Sequence, residues 1–215
     1  MFVRRPLRDE VQRAIRERIV DGRLPADSGL NENRLATELG ISRTPLREAM
    51  LGLEAHGFLT SAMGRGFRVP ALDPGEFRDL AAVLAHLTPL AIELAPDPAA
   101  GCLVALHNLL QRAEIAAKRP GGEPAAAIAG LLPAFAAKTV AECPNEPLRG
   151  DIVRLEALCA RYWYAAVAAG FAAATVLAHV RAVYAEFQGR RRQAAAALIR
   201  ASYLGLADQA AAVLT

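Results

Sequence analysis

Gly40-Ile41-Ser42-Arg43-Thr44-Pro45-Leu46-Arg47-Glu48-Ala49-Met50 decides the fold of this chain. Ser42 is an N-cap residue type, Pro45 falls in a first turn where no intrahelical donor is lost, and Arg43 and Arg47 at i, i+4 share one face. Leu46, Ala49, Met50 and Leu53 follow i, i+3, i+4, i+7 on the opposite face, which is expected to be buried. Arg43, Thr44 and Arg47 are left to enter a groove, so the segment reads as a DNA-recognition helix.

Working outward, Asn31 to Gly40 reads as a short helix capped by Asn31, with Leu35, Ala36 and Leu39 inward and a stop at Gly40. The turn between the two helices has helix-turn-helix spacing. Downstream, Gly57–Ser61 and Gly66–Pro70 read as short strands around Met63-Gly64-Arg65-Gly66, a glycine-rich hairpin tip. Upstream, Leu7, Val11, Ile15 and Ile19 recur every four residues, which predicts an amphipathic first helix over residues 7–21, ended near Gly22. The whole is a winged helix-turn-helix.

These residues resemble the GntR family of bacterial transcription regulators. The pattern of a leucine-proline turn, an acidic residue, Leu-Ala, and then Ser-Arg-Thr-Pro-Leu-Arg-Glu-Ala is matched from Leu24 to Gly66. The resemblance implies DNA contact by Arg43, Thr44 and Arg47, with Asn33 at a position that meets phosphate or base. Gly66 serves either the hairpin turn or the approach of a wing to the minor groove. One departure is Ala26-Asp27-Ser28, where the family usually has a glycine directly after the proline.

Charge follows the same division. Residues 1–70 hold 12 arginines against 9 acidic residues, whereas residues 71–215 hold 13 basic against 13 acidic ones. The chain's whole net charge of +3 thus sits in the segment expected to meet phosphates. A DNA-architectural protein without an effector would instead need a basic second domain. The enzyme alternative finds no Gly-x-Ser-x-Gly, Gly-x-Gly-x-x-Gly, P-loop or His-Glu-x-x-His motif, and His56, His86, His107 and His179 are scattered.

Cys102, Cys143 and Cys159 form no Cys-x-x-Cys unit and are odd in number, which fits small buried residues in a reducing cytoplasm. Met1-Phe2-Val3-Arg4-Arg5 leads into a charged helix without an apolar signal region, so secretion is not expected. Tyr162 to Val180 runs 19 residues without Asp, Glu, Lys or Arg, but eight are alanines and Gly170 interrupts it. Two buried helices broken at Gly170 are expected, not a membrane span.

From residue 71 on, the chain is rich in alanine and leucine. Pro96-Asp97-Pro98, Lys118 to Pro124, Cys143-Pro144-Asn145-Glu146-Pro147, Gly170 and Gly189 divide it into about six helices. The expected fold class is mostly α: a winged helix-turn-helix over residues 1–70, then an all-α antiparallel bundle over 71–215 for effector binding and dimerisation. This layout resembles the effector (FCD) domain of the FadR-type branch of the family, and within it the VanR-like subgroup. Asp79-Leu80 with Pro89-Leu90-Ala91, and Pro133-Ala134-Phe135 with Asn145-Glu146-Pro147-Leu148, carry the likeness.

That resemblance implies a pocket, and in many relatives a divalent metal held by an aspartate and three histidines. The corresponding residues here are Leu132, Ala136, His179 and Ala201, and the family's pocket arginine and glutamate correspond to Leu84 and Thr88. One imidazole cannot replace three or four ligands. No metal or other cofactor is therefore expected, and the effector should be apolar or uncharged, with Thr88 or His179 as polar handles. The small Ala136 and Ala201 favour an open pocket over a collapsed one. His179 is also readable as a core histidine, Tyr162-Trp163-Tyr164 as packing and Arg190-Arg191-Arg192 as a solvated helix start. The function so implied is a cytoplasmic, homodimeric, ligand-responsive transcription repressor that reads a palindromic operator in double-stranded DNA, without membrane attachment.

Overall fold

The computed structural model describes residues 7–62, 66–119 and 123–215. The chain divides into two compact units, Met1–Leu72 and Asp73–Thr215. Among the described residues the fold is mostly helical, with one two-stranded sheet.

In the first unit, α1 (Leu7–Val20), α2 (Glu32–Leu39) and α3 (Arg43–Ala55) precede the antiparallel pair β1 (Thr60–Ala62) and β2 (Gly66–Arg68). Val11, Ile15 and Ile19 of α1 are buried, as their four-residue spacing requires. Leu7 is 52% exposed, against expectation, because it opens the helix beyond the end of that buried stripe. Leu46, Ala49, Met50 and Leu53 of α3 are all fully enclosed. Gly40 ends α2 in the left-handed region at φ 65°, where a side chain would be strained, and Ile41 N–H returns to Ala36 O at 3.1 Å.

The two strands are shorter than the sequence suggests. Their register pairs Thr60 with Arg68 and Ala62 with Gly66. The loop before α2 completes the layer: Leu30 N–H donates to Phe67 O at 2.8 Å and Val69 N–H to Ser28 O at 2.9 Å. Asp27 takes φ 59° in the very loop where the sequence departs from the family pattern. Arg68 holds it there, donating to the Asp27 carbonyl at 2.7 Å and its carboxylate at 2.9 Å. The expected hairpin tip Met63-Gly64-Arg65 lies outside the described residues.

The second unit consists, among the described residues, of α4 (Pro74–Leu94), α5 (Ala100–Lys118), α6 (Pro124–Thr139), α7 (Glu146–Ala168), α8 (Ala173–Gln188) and α9 (Arg192–Ala212). The breaks fall where the sequence places them. Part of the expected break between α5 and α6, residues 120–122, is outside the described residues. Asp73 caps α4 by accepting from Gly75 N–H at 2.7 Å, and Asn145 caps α7 by accepting from Leu148 N–H at 3.1 Å. Gly170, at φ 108°, separates α7 from α8 and so divides the uncharged run. No described helix is long and apolar enough to cross a membrane.

Pro89 and Pro133 lie inside helices rather than at their ends. A proline removes the N–H that would bond the carbonyl four residues earlier. For Pro89 that carbonyl belongs to Ala85, and Arg200 of α9 donates its Nε to it at 3.3 Å, tying the two helices at the gap. Near the start of α4, Phe77 stacks on Tyr162 with centroids 4.9 Å apart and meets Trp163 edge-on at 5.2 Å. Glu76 accepts from the Tyr162 hydroxyl and from Arg161 at 2.9 Å, so this buried arginine is neutralised where it sits.

Candidate functional site

The first candidate surface is the exposed side of α3. Burial of Leu46, Ala49 and Met50 turns Arg43, Thr44 and Arg47 outward, and all three are exposed. Arg47 has no ion-pair or hydrogen-bond partner among the described residues. Arg43 lies 4.0 Å from Glu32, with its own side chain 65% exposed and that of Glu32 only 14%. Other arginines nearby are more tightly engaged: Arg34 donates to Glu38 at 2.7 Å, and Arg18 to the same carboxylate at 2.9 Å.

Ser42 does not do what its residue type suggests. Its backbone is extended, as at an N-cap, but its side chain makes no capping hydrogen bond. The hydroxyl and the first N–H groups of α3 are thereby left for an outside acceptor. Asn33, in the first turn of α2, is exposed, and Asn31 before it accepts from Arg34 N–H at 3.0 Å. Gly66, at φ 74°, opens β2, and a Cβ there would come 3.6 Å from Glu32 Oε1. The left-handed backbone explains the glycine without any appeal to DNA.

The second candidate is a cavity inside the helical unit. Its free volume is about 70 Å³. Leu132, Phe135 and Ala136 of α6, Trp163 of α7, Val176 and Val180 of α8, and Ile199 and Leu206 of α9 supply the apolar wall. Thr88, Thr139, Glu156, His179, Ser202 and Tyr203 supply the polar atoms. No Lys or Arg lines it among the described residues.

Four of the six residues expected to line a pocket do so: Thr88, Leu132, Ala136 and His179. Leu84 does not. It is fully enclosed, one turn before Thr88, and fills the interior instead of facing the free space. Ala201 is also misplaced by the sequence reading, since it is exposed. The inward stripe of α9 is Ile199, Ser202, Tyr203 and Leu206, and a residue two positions from Ile199 is turned about 200° away from it.

Glu156 was missed, although the signal was there. It falls four residues after Ile152 and three before Cys159, on the stripe that α7 buries. Its side chain is almost completely enclosed, and burial pushes its carboxyl up to about 8. The Tyr203 hydroxyl donates to Oε1, while Oε2 has no hydrogen-bond partner among the described residues. Thr88 Oγ1 is likewise buried and unpartnered. His179 Nδ1 lies 2.9 Å from Thr175 O, which can only accept, so Nδ1 carries a proton and in that tautomer Nε2 offers a lone pair.

This donor set does not fit the metal that the family resemblance brings to mind. Leu132 and Ala136 offer no ligand atom and Ala201 faces away from the cavity. Purified protein is expected to hold well under one divalent ion per chain, with a melting temperature indifferent to a chelator. Elemental analysis showing stoichiometric zinc or nickel would contradict this.

Comparison with known proteins bears mainly on the first unit. Residues 7–69 match the model of the bacterial regulatory proteins of the gntR family. The chain is similar to the Nta operon transcriptional regulator of Aminobacter aminovorans, 42% identical over 66 residues, which covers 31% of each protein. It is also similar to the Glc operon transcriptional activator of Escherichia coli K12, 39% identical over 71 residues, 33% of this chain and 28% of that one. The alignments thus span about a third of these curated relatives. The fold likeness is wider: E. coli McbR/YncC superposes with a TM-score of 0.79 over 95% of this chain and 98% of that one, at 20% identity.

Proposed function

We propose, from the premise that residues 7–69 are a GntR-family DNA-binding domain, that this protein is a transcription regulator rather than an enzyme, with a FadR-type, VanR-like effector (FCD) domain in its second unit. The observation that carries the DNA reading is Arg47, exposed and without an ion-pair or hydrogen-bond partner among the described residues, beside Arg43 on a helix whose opposite side is wholly buried. In this reading Arg43, Thr44 and Arg47 meet base edges, the uncapped start of α3 and Ser42 meet a phosphate, and Asn33 and Gly66 flank them. The protein acts as a cytoplasmic homodimer on a palindromic operator, because a two-fold protein matches a two-fold site. Repression is the simpler sign, since occupancy of a promoter needs no further contact surface.

The helical unit is the sensor, and its cavity takes the effector. An anion is disfavoured there: among the described residues no Lys or Arg lines the space, and Glu156 already presents a carboxyl. The effector therefore has a largely apolar body without a carboxylate. A free volume of about 70 Å³ is below the roughly 150 Å³ that accommodates benzene, so a ligand of more than a few atoms must part the helices. Such parting is how occupancy can favour one arrangement of the domains over another, as differential affinity requires.

Two measurements test this. Selection of binding sites from random duplex DNA should return a palindrome that the protein shifts in a gel. A thermal-shift panel should show stabilisation by aliphatic or aromatic compounds and none by dicarboxylates or sugar acids. Stabilisation by the acids alone would refute the proposed cavity chemistry.

A further inference from the structure

The polar atoms of the cavity are unequal in kind. Thr139 Oγ1 donates to Phe135 O at 2.9 Å, Ser202 Oγ to Leu198 O at 2.8 Å, and Tyr203 Oη to Glu156 Oε1. Each hydroxyl has thus committed its proton to protein and presents only lone pairs to the cavity. His179 adds the lone pair of Nε2. Glu156 Oε2 and Thr88 Oγ1 remain without partners, both buried. Acceptors outnumber free donors, and a ligand that brings donors is the one that would satisfy them.

We propose that the cavity of the helical unit is a site for a small organic amine, bound as the ammonium, with Glu156 as its counter-ion, Thr88 and His179 as further acceptors, and the aliphatic wall around its carbon chain. This inference rests on the effector reading above and deepens it by naming the chemical class. An ammonium carries three donors and no acceptor, which complements the lone pairs of Glu156, Thr88 and His179. Trp163, Phe135 and Tyr203 line the same space and offer aromatic surface to a cation. A carboxylate ligand would meet a second carboxyl and no Lys or Arg among the described residues, so its charge would be left with no counter-ion and at most the proton that Glu156 retains. An alcohol brings a single donor.

Charge balance requires one step on binding. Burial holds Glu156 protonated near neutral pH, so an amine arriving neutral takes that proton, and an amine arriving as ammonium displaces it to solvent. Either route ends in the same ion pair, Glu156 carboxylate against ammonium. The pair sits in a site whose remaining polar groups are satisfied, the condition under which a buried pair persists.

Trp163 is the chain's single tryptophan and lines the cavity, so its fluorescence reports occupancy in the full-length protein. The probes are butylamine, butan-1-ol and butyrate, which share a four-carbon skeleton and differ in the polar end. Butylamine is expected to bind at least tenfold more tightly than butan-1-ol, and butyrate not to bind. Glu156→Gln, which retains an acceptor for Tyr203, is expected to abolish the preference for amine over alcohol. Butyrate binding as well as butylamine, a preference that survives Glu156→Gln, or no response to any probe up to roughly 50 mM would each overturn the proposal. The wild-type comparison of the three probes stands even if the variant does not fold. Gel shifts with selected DNA separate the two readings. If butylamine occupies the cavity but leaves DNA affinity unchanged, the amine site stands and the regulatory role of the cavity falls.

Discussion

Joint replacement of Arg43 and Arg47 by alanine is expected to lower affinity for the selected operator about thirtyfold for a single half-site and roughly a thousandfold for two. Each arginine, placed against a guanine edge or a phosphate, is worth roughly 1–3 kcal/mol, and two such contacts at the low end give about 2 kcal/mol per half-site. Neither side chain supports the core, since Leu46, Ala49, Met50 and Leu53 do so from the other face of α3. The melting temperature should therefore hardly move. Arg47 is the cleaner of the two, because Arg43 has the carboxylate of Glu32 4.0 Å away and part of its loss would be offset by relief of that pairing. Titrations at fixed salt on selected and on scrambled DNA assign the role: loss on the selected sequence alone means base contact, and equal loss on both means phosphate contact. Wild-type binding by the double variant would end the recognition-helix reading.

The legible part of the fold was the part governed by local rules. Asn31 caps α2 through its own side chain, Gly40 and Gly170 take left-handed backbone where stops are expected, and helix breaks coincide with Pro and Gly clusters. Periodicity also named the buried face of α3 without error. It failed at edges. Leu7 continues the spacing of Val11, Ile15 and Ile19 but has no core left to meet, and Leu39 at the end of α2 is only half-buried. Ser42 shows the limit of residue-type rules, because an N-cap residue can adopt the cap backbone and still leave its hydroxyl free. The donor that answers Pro89 was invisible, since Arg200 lies 111 positions away and only tertiary packing brings it to the Ala85 carbonyl.

The cavity was legible in outline and wrong in detail. Of the residues that the family pattern assigns to a pocket, Thr88, Leu132, Ala136 and His179 lie on the cavity wall and Ala201 does not, because one or two positions on a helix turn a side chain from core to solvent. The inward placement of the half-buried Ser202 and Tyr203 instead follows from their spacing with Ile199 and Leu206, which a helical-stripe reading of α9 finds. Glu156 is different: no family position corresponds to it, and only its place on the buried stripe of α7 marks it. A carboxyl inside an apolar stripe is the more informative sign, because burial without a partner is costly and must be answered by protonation or by a ligand.

That protonation gives the largest expected effect on stability. The Glu156 carboxyl is pushed up to about 8 by burial from an ordinary 4.5, so between those values the folded chain keeps a proton that the unfolded chain has released. Its contribution to stability is present in full below about pH 4.5, falls by about 1.4 kcal/mol per pH unit as the pH rises, and is lost once the folded carboxyl ionises near 8. The total is about 5 kcal/mol, large against a typical domain stability of roughly 5–15 kcal/mol. Glu156→Gln keeps the shape and the acceptor for Tyr203 but has no proton to lose. Wild type and variant are expected to unfold alike near pH 4, and the variant to be the more stable by several kcal/mol near pH 9. The other titratable groups around the carboxyl, His179 on α8, Tyr203 on α9 and Cys159 on α7, are present in both proteins, so their titrations largely cancel in the difference. Chemical denaturation across that pH range measures it. Parallel stability profiles for the two proteins would mean that Glu156 ionises at an ordinary pH and that the cavity holds a solvated carboxylate, not a buried acid awaiting a cation.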